Sequence, residues 1–273
     1  MRIYNNLTAL KSSNNLNKVN KVKSGNLEKL SSGLRINKAS DDAAGLAISE
    51  KMRGQIRGLK VAARNSSDGQ ALIQTAEGAM NEINSILQRQ RELCVQASND
   101  TYSADERNHI LTELTELTAQ VKTIVDNTKF NGITMLDGTY DTGNPLNLQI
   151  GANKDDTLEI AFVDADAIHT ALGGLDVDDS DNAQDSIALL DAQLDAVSTS
   201  RAQLGAQVNR LDFTINNINS TLENLTDAES RIRDLDMASE MVEFTRNNIL
   251  SQTGIAMLSS ANSMTQGVLQ LLG

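Results

Sequence analysis

The sequence has little of what small cross-linked or aromatic-rich domains are built from. Its 273 residues include no tryptophan, one proline, one cysteine (Cys94) and only 3% aromatic residues. A single cysteine excludes an intramolecular disulfide framework, so noncovalent contacts hold the chain together. No apolar run reaches the roughly 18 residues of a transmembrane helix, so we expect no membrane insertion. Cores without aromatic residues and proline are typical of long packed helices.

The N-terminus lacks the features of a cleaved signal peptide. Its first residues, MRIYNNLTALKSSNNL, contain neither an apolar central region nor a small-residue cleavage site. We therefore expect a cytoplasmic protein, or one that is exported by a route that needs no cleaved signal.

Residue patterns that carry catalysis or bind metals are also missing. His109 and His169 lie far apart and have no metal-ligand spacing with the single cysteine. Residues 176–187, DVDDSDNAQDSI, have the composition of a calcium loop, but Asp181 replaces its glycine and Ile187 its last glutamate. No glycine-rich phosphate loop and no nucleophile with a matched base is present. We predict no enzyme, no metal and no cofactor.

Charge is distributed unevenly along the chain. The net charge is −12, yet residues 1–60 contain twelve Lys or Arg and four Asp or Glu, so the rest carries −20. A basic arm on an acidic body is compatible with nucleic-acid binding. However, these basic residues are spread singly among Asn and Ser, without interleaved aromatics. Complementarity with the acidic surface of a neighbouring copy is therefore favoured.

The first helix is predicted to end abruptly. Apolar residues recur every three or four positions over residues 3–34, which indicates a helix, although its many Asn and Ser make it marginal alone. Residues 30–50, LSSGLRINKASDDAAGLAISE, then interrupt the pattern. We expect Ser31, Ser32 and Gly33 to end this helix and Leu34–Lys38 to be extended. The next helix should have Ser40 as its N-cap and Asp41 and Asp42 in its first turn.

The remaining pattern predicts a mainly α fold with a small β-hairpin region. A helix of about 55 residues to about Ser98 would be a rod of roughly 80 Å. Period-two patterns at 130–138 and 146–162 predict short strands, with β-hairpins at about 130–163. Further helices are predicted at 104–127, from about 182 to 233, and from 237 onward. Residues 164–183 are predicted to be a loop with some helix. The spacing near the C-terminus is close to a heptad, which favours a coiled coil.

Four segments are similar to one protein family. LSSGLRINKASDDAAGLAIS (30–49), RNSSDGQALIQTAEGAMNEINSILQRQRELCVQASNDT (64–101), TKFNGITMLDG (128–138) and the C-terminal segment that begins AESRIRDLDM at residue 228 closely resemble bacterial flagellins. The resemblance covers about residues 1–140 and 180–273. It implies a structural protein that self-polymerises into the flagellar filament, the helical propeller for swimming, outside the cell.

The resemblance also implies a domain organisation. Residues 1–41 and 235–273 would form an inner core domain in which the N- and C-terminal helices pair into a coiled-coil layer, and residues 42–234 a rod domain. A spoke near residues 31–41 would join them. Its implied residues are Leu34, Arg35, Ile36, Asp41 and Asp42. The predicted polymerisation stripe of the terminal helices consists of Ile3, Leu7, Leu10, Met237, Met241, Phe244, Leu258, Leu269 and Leu272.

The implied partners are other copies of the chain, an export chaperone, the export apparatus, the filament cap and hook-junction proteins. Arg89, Leu93 and Glu113 match positions that a host flagellin-sensing Toll-like receptor recognises, and their primary role would be subunit packing. Val268 to Leu272 resemble the segment that engages the export chaperone. Two alternatives stay open: a hook–filament junction protein of the same axial family, and a basic-armed nucleic-acid binder, which salt-dependent affinity for DNA would support.

Overall fold

The computed structural model describes the backbone of residues 6–141 and 143–272, and the side chains of these residues as far as Met264. The described residues are mainly α-helical, as predicted. The helices are α1 (Leu7–Ser32), α2 (Ala43–Ala97), α3 (Ala104–Asn127), α4 (Ala165–Leu172), α5 (Ser180–Arg233) and α6 (Met237–Leu272). Two antiparallel strand pairs lie between α3 and α4: β1 (Lys129–Phe130) with β2 (Ile133–Thr134), and β3 (Leu146–Gln149) with β4 (Thr157–Ile160).

The chain divides into two compact units. The first combines the residues up to Gly54 with those from Asn224 onward, and the second is Gln55–Glu223. The boundaries expected from the sequence, at 41/42 and 234/235, both fall inside the first unit. Its two chain segments meet in the pairing of α1 with α6.

The end of α1 matches the sequence-based expectation. Gly33 follows the helix with a φ of 71°, a left-handed conformation that glycine adopts without steric cost, and its N–H donates to the Lys29 carbonyl at 2.8 Å. Leu34 then pairs with Asp234 in an isolated antiparallel bridge. This bridge lies in the expected extended segment Leu34–Lys38, and the Asp41 N–H donates to the Lys38 carbonyl at 3.0 Å, which closes a turn that begins at the last residue of that segment.

The start of α2 differs from the expectation in its cap. Asp42 accepts the Gly45 N–H at 2.9 Å, so Asp42 is the capping residue and the prediction of Ser40 is wrong. Asp41 and Asp42 precede the helix instead of lying in its first turn. The cause is the Asp41 carboxylate, which accepts the backbone N–H groups of Asn37 and Lys38 at 3.1 and 3.0 Å and fixes the turn before the helix. These bonds lower the pKa of Asp41.

Heptad spacing builds the core of the second unit. Buried side chains recur every seven residues along α5, and alternate at three and four residues along α2, which is the coiled-coil pattern. Side chains from α3, β4 and α4 complete the same apolar cluster. Its members include Ile73, Ala76, Met80, Ile83 and Leu87 of α2, Leu114 and Val121 of α3, and Leu190, Val197, Leu204 and Leu211 of α5.

The β3–β4 hairpin lies on α2. Its strands pair Leu146 with Ile160, within the predicted hairpin region. Asn65 of α2 donates its side-chain amide to the Gln149 carbonyl at 3.2 Å. Gly58 allows the hairpin loop to approach the helix, because a Cβ there would lie 2.9 Å from the Ala152 Cβ. Gly58 is therefore a glycine of α2 at which a larger side chain would disturb the packing of the hairpin loop.

We predict opposite effects for two glycine-to-alanine changes in α2. Gly58→Ala should lower the free energy of unfolding by about 1 kcal/mol, because the new Cβ displaces Ala152. Gly78→Ala should raise it by roughly 0.5–1 kcal/mol, because nothing lies within 4 Å of a Cβ there and alanine favours the helix. Urea unfolding measures both values. Two shifts of the same sign would contradict the close approach at Gly58.

Candidate assembly surfaces

Polar side chains pair across the seam between α1 and α6, which also brings Leu16 close to Gly254. Asn26 of α1 is 8% exposed and Ser251 of α6 is 7% exposed. Ser251 donates its hydroxyl to the Asn20 side-chain oxygen at 2.9 Å, and Lys23 donates to the Asn248 side-chain oxygen at 2.7 Å. Hydrogen bonds between specific partners fix which residues face each other, but each contributes only about 1 kcal/mol. These hydrogen bonds therefore specify register more than they stabilise the pair.

Large apolar side chains of the same two helices point outward. Among the side chains that the structure describes, the exposed ones are Leu7, Leu10, Val22 and Leu27 of α1, and Met237, Met241, Val242, Ile249, Leu250, Ile255, Met257 and Met264 of α6. At 100° per residue, Ile255 lies at the same angle as Met237, whereas Met257 and Met264 lie on the opposite side of α6. A helix that is apolar on all sides is typically buried on all sides. In this structure, α1 covers only one side of α6.

The predicted stripe residues have mixed positions. Leu7, Leu10, Met237 and Met241 are exposed. Phe244 and Leu258 are half-buried. Ile3 lies outside the described residues. Leu269 and Leu272 belong to α6, but their side chains lie outside the described part of the chain.

The predicted spoke residues build a joint between the two segments of the first unit. Ile36 is buried, and the Arg35 guanidinium donates to the Ile232 carbonyl near the end of α5. Arg35 also donates its backbone N–H to the Arg233 carbonyl at 2.7 Å. The largely buried Arg233 side chain pairs with Glu50 of α2 at 2.7 Å, and this bond lowers the pKa of Glu50.

Sequence reasoning missed Glu50 and Arg233. Arginine in the last turn of a helix is a signal for C-terminal capping, since it interacts favourably with the helix dipole. That signal could have pointed to Arg233, which lies in the last turn of α5. It could not have named Glu50 as the partner.

Arg89 and Glu113 lie together on the surface of the second unit. The Arg89 guanidinium donates to the Glu113 carboxylate at 3.0 Å and to Glu92 at 3.2 Å. These bonds raise the pKa of Arg89. All three side chains are exposed, so the pairs contribute little to stability, typically about 0–1 kcal/mol. Their acidic and basic groups remain accessible to a partner.

Two family profiles match most of the chain. Residues 3–141 match the bacterial flagellin N-terminal helical region, and residues 187–272 match the bacterial flagellin C-terminal helical region. The chain belongs to the bacterial flagellin family. It is 56% identical to a flagellin of Halalkalibacterium halodurans, over 90% of each chain. It is 50% identical to a flagellin of Bacillus subtilis, over the whole of both chains. A flagellar filament 33 kDa core protein of Treponema phagedenis is 44% identical over the same extent.

Solved structures agree with the flagellin assignment. A crystal structure of Bacillus cereus flagellin is 31% identical, with a TM-score of 0.51 over 61% of this chain and 94% of that one. A putative flagellar hook-associated protein from Vibrio parahaemolyticus has a TM-score of 0.59 over 71% of this chain and 100% of that one. It is only 11% identical, so it shows the fold alone. High identity to flagellins favours the filament subunit over the junction protein.

As a flagellin, the chain is a structural subunit of the extracellular flagellar filament, in which copies of it polymerise, and it is not an enzyme. Among the described residues, no group of three or more His, Cys, Asp or Glu could hold a metal ion. No helix in the described ranges is long and apolar enough to cross a membrane. Asp176, in the calcium-like loop, instead accepts the Asp178 N–H and the Asn182 amide.

Leu93 does not lie on the surface with Arg89 and Glu113. Its side chain is 2% exposed and belongs to the core of the second unit, so its prediction as a surface residue is wrong. Leu93 lies beside Cys94, on the side of α2 that packs inward. A match of motif positions cannot distinguish this inward face from the neighbouring outward one.

Burial should make Cys94 unreactive in the folded flagellin. Desolvation raises the pKa of its thiol to about 11, because a thiolate is disfavoured in an apolar core. We expect alkylation by iodoacetamide at pH 8 to be at least about 100-fold slower than in urea-unfolded chain, as the thiolate fraction is that much lower. The free energy of unfolding should decrease as the pH rises from about 9 toward 11, because in this range the thiol ionises in the unfolded chain but not in the folded one. Equal alkylation rates would contradict the burial.

Proposed function

We propose that the outward apolar faces of α1 and α6 are the surfaces through which flagellin chains associate in the filament. The observation that carries this proposal is the arrangement of α6, whose exposed Met, Leu, Ile and Val side chains lie on several sides of the helix, while α1 covers only one side. Burying the exposed half of one Leu, Ile or Met contributes about 1 kcal/mol. Association costs about 4–15 kcal/mol, so several such side chains must be buried together. More than one neighbouring chain is needed to cover all sides of α6.

Charge supports the same proposal. The segment of α1 contains five lysines and one glutamate, whereas α6 has no charged residue after Arg246. In the part of the chain that the structure describes, Lys11, Lys18 and Lys21 have no carboxylate within 4.0 Å. Acidic groups of a neighbouring chain would complement them.

Adjacent positions of α6 provide a matched test. A photo-cross-linking amino acid at Leu250, which is exposed, should produce covalent dimers and larger products in filaments. The same amino acid at Ser251, which lies in the seam with α1, should produce mainly cross-links within one chain. Products are separated by denaturing gel electrophoresis and mapped by mass spectrometry. Equal yields of chain-to-chain products at both positions would contradict the proposal.

The same surfaces suggest a domain organisation. Residues 1–41 and 235–273 would form the inner layer of the filament, residues 42–234 the outer rod, and the segment near residues 31–41 the spoke between them. A single cysteine for labelling, introduced in a Cys94→Ser background, tests this. Met257→Cys should react with a maleimide in the monomer but not in the filament, whereas Thr115→Cys on α3 should react in both. Labelling of both positions in filaments would contradict the inner layer.

Rotation of the assembled filament would drive swimming, and recognition by a host Toll-like receptor is a second proposed role. The accessible Arg89–Glu113 pair supports receptor binding, and its members match the recognised positions of the resembled family. Replacing both by alanine should weaken binding to the isolated receptor ectodomain about tenfold or more. The control is Arg231→Ala, an exposed arginine of the first unit. Unchanged affinity of the double variant would contradict this role.

Membership of the family supports the remaining partners: an export chaperone, the export apparatus, the filament cap and hook-junction proteins. The segment Val268 to Leu272 would bind the chaperone, and it is helical as part of α6. Removal of residues 268–272 should abolish co-purification with the chaperone of the same bacterium. Retained co-purification would place the contact elsewhere.

A further inference from the structure

Six of the eight methionines in the sequence lie in one of two contrasting environments. Met80 and Met135 are fully buried in the core of the second unit. Four others lie on α6 and are exposed: Met237 (47%), Met241 (49%), Met257 (60%) and Met264 (64%).

The four exposed methionines lie on two opposite sides of α6. Met237 and Met241 are one turn apart, and Met257 and Met264 are two turns apart on the other side. Leu, Ile and Val occupy equivalent exposed positions on the same helix, so apolarity alone does not require methionine there. Methionine differs from them in one chemical property, a thioether that a two-electron oxidant converts to a sulfoxide.

We propose that Met237, Met241, Met257 and Met264 form an oxidation-sensitive modification site on the unassembled chain, and that their oxidation prevents polymerisation. The proposal rests on the function proposed above, because it requires that assembly bury these side chains. The oxidant is a peroxide or hypochlorous acid. Methionine sulfoxide is polar, so burying it against apolar neighbours is unfavourable.

The chemistry balances for hydrogen peroxide. The sulfur lone pair attacks one peroxide oxygen, an S–O bond forms and the O–O bond breaks. The departing oxygen keeps its hydrogen and takes the second proton, leaving as water. Methionine loses two electrons and the peroxide gains them. The change is reversible: a methionine sulfoxide reductase takes two electrons from two thiols, which become a disulfide, and releases the oxygen as water.

Exposure sets which methionines react. In the free chain the four α6 thioethers are open to solvent, whereas Met80 and Met135 are enclosed. In the filament the α6 thioethers would be covered by neighbouring chains. The modification would therefore act on subunits before assembly and spare subunits already in the filament.

Peroxide treatment of purified monomer and of filaments tests the proposal. In monomer, peptide mass spectrometry should show the four α6 methionines oxidised at least about tenfold faster than Met80 and Met135. The critical concentration for growth on filament seeds should rise roughly 30-fold, and a methionine sulfoxide reductase with dithiothreitol should restore it. Oxidised monomer that polymerises like untreated monomer, or a similar oxidation rate at all six methionines, would overturn the proposal.

A variant assigns the effect to α6. The substitutions Met237→Leu, Met241→Leu, Met257→Leu and Met264→Leu keep the helix apolar and should make polymerisation insensitive to peroxide. If this variant polymerises and still responds to peroxide, the site is wrong. If this variant does not polymerise, the proposal is tested by the oxidised wild-type chain instead: methionine sulfoxide reductase should restore its polymerisation. If the α6 methionines are oxidised as fast in filaments as in monomer, the proposed assembly surface itself is wrong. This outcome distinguishes a failure of that surface from a failure of the oxidation step.

Discussion

Replacing Ile249 and Leu250 by asparagine raises the critical concentration for filament growth about 100-fold. Both side chains are exposed on α6, so their substitution leaves the fold of the monomer intact. In the filament, each replacement removes about 1 kcal/mol of apolar burial and places an amide against apolar neighbours. A combined loss of about 3 kcal/mol corresponds to about a 100-fold change. Growth on filament seeds, followed by pelleting, measures it.

The matched control keeps both positions apolar. Ile249→Val with Leu250→Met preserves most of the apolar surface and should change the critical concentration only severalfold. Circular dichroism of both variants should match that of the unmodified monomer. Growth of the asparagine variant at the wild-type concentration would show that this part of α6 is not an assembly surface.

Leu87→Ala should have the largest effect on the stability of the second unit. Leu87 is fully buried on the face of α2 that packs into the core. Truncation to alanine removes transfer free energy and leaves a cavity, at a cost of about 3 kcal/mol. For a unit of this size that loss lowers the melting temperature by roughly 6–12 °C. Urea and thermal unfolding of the monomer measure both quantities.

Val95→Ala on the same helix is the control for this change. Val95 is exposed, so its truncation should alter the free energy of unfolding by less than about 0.5 kcal/mol. If Leu87→Ala were as mild as Val95→Ala, the heptad-spaced face of α2 would not be the core.

Local sequence signals predicted much of the fold. Period and spacing placed the long helices, and the Gly33 left-handed cap and the β3–β4 hairpin followed from turn chemistry. The cap of α2 could not be placed, because Ser40, Asp41 and Asp42 are all acceptable caps by residue type. Only the two hydrogen bonds that Asp41 accepts from the preceding turn assign the cap to Asp42.

Contacts between distant parts of the chain were beyond sequence reasoning. Nothing local pairs Glu50 with Arg233, or places Gly58 under Ala152. The sequence allowed a prediction of the outward position of Leu7, Leu10, Met237 and Met241, since the apolar stripes of their helices needed a partner. The hydrogen bonds across the seam between these helices could not be predicted, because they depend on the register between α1 and α6.

Seeded polymerisation of the full-length chain beside a chain that lacks residues 1–30 and 240–273 tests most directly whether the terminal helices drive assembly. Purified monomers are added to filament seeds, and growth is followed by electron microscopy and pelleting. If α1 and α6 carry the association surfaces, the full-length chain grows long tubes and the truncated chain remains monomeric. Growth of the truncated chain at the same concentration would show that the second unit alone drives polymerisation.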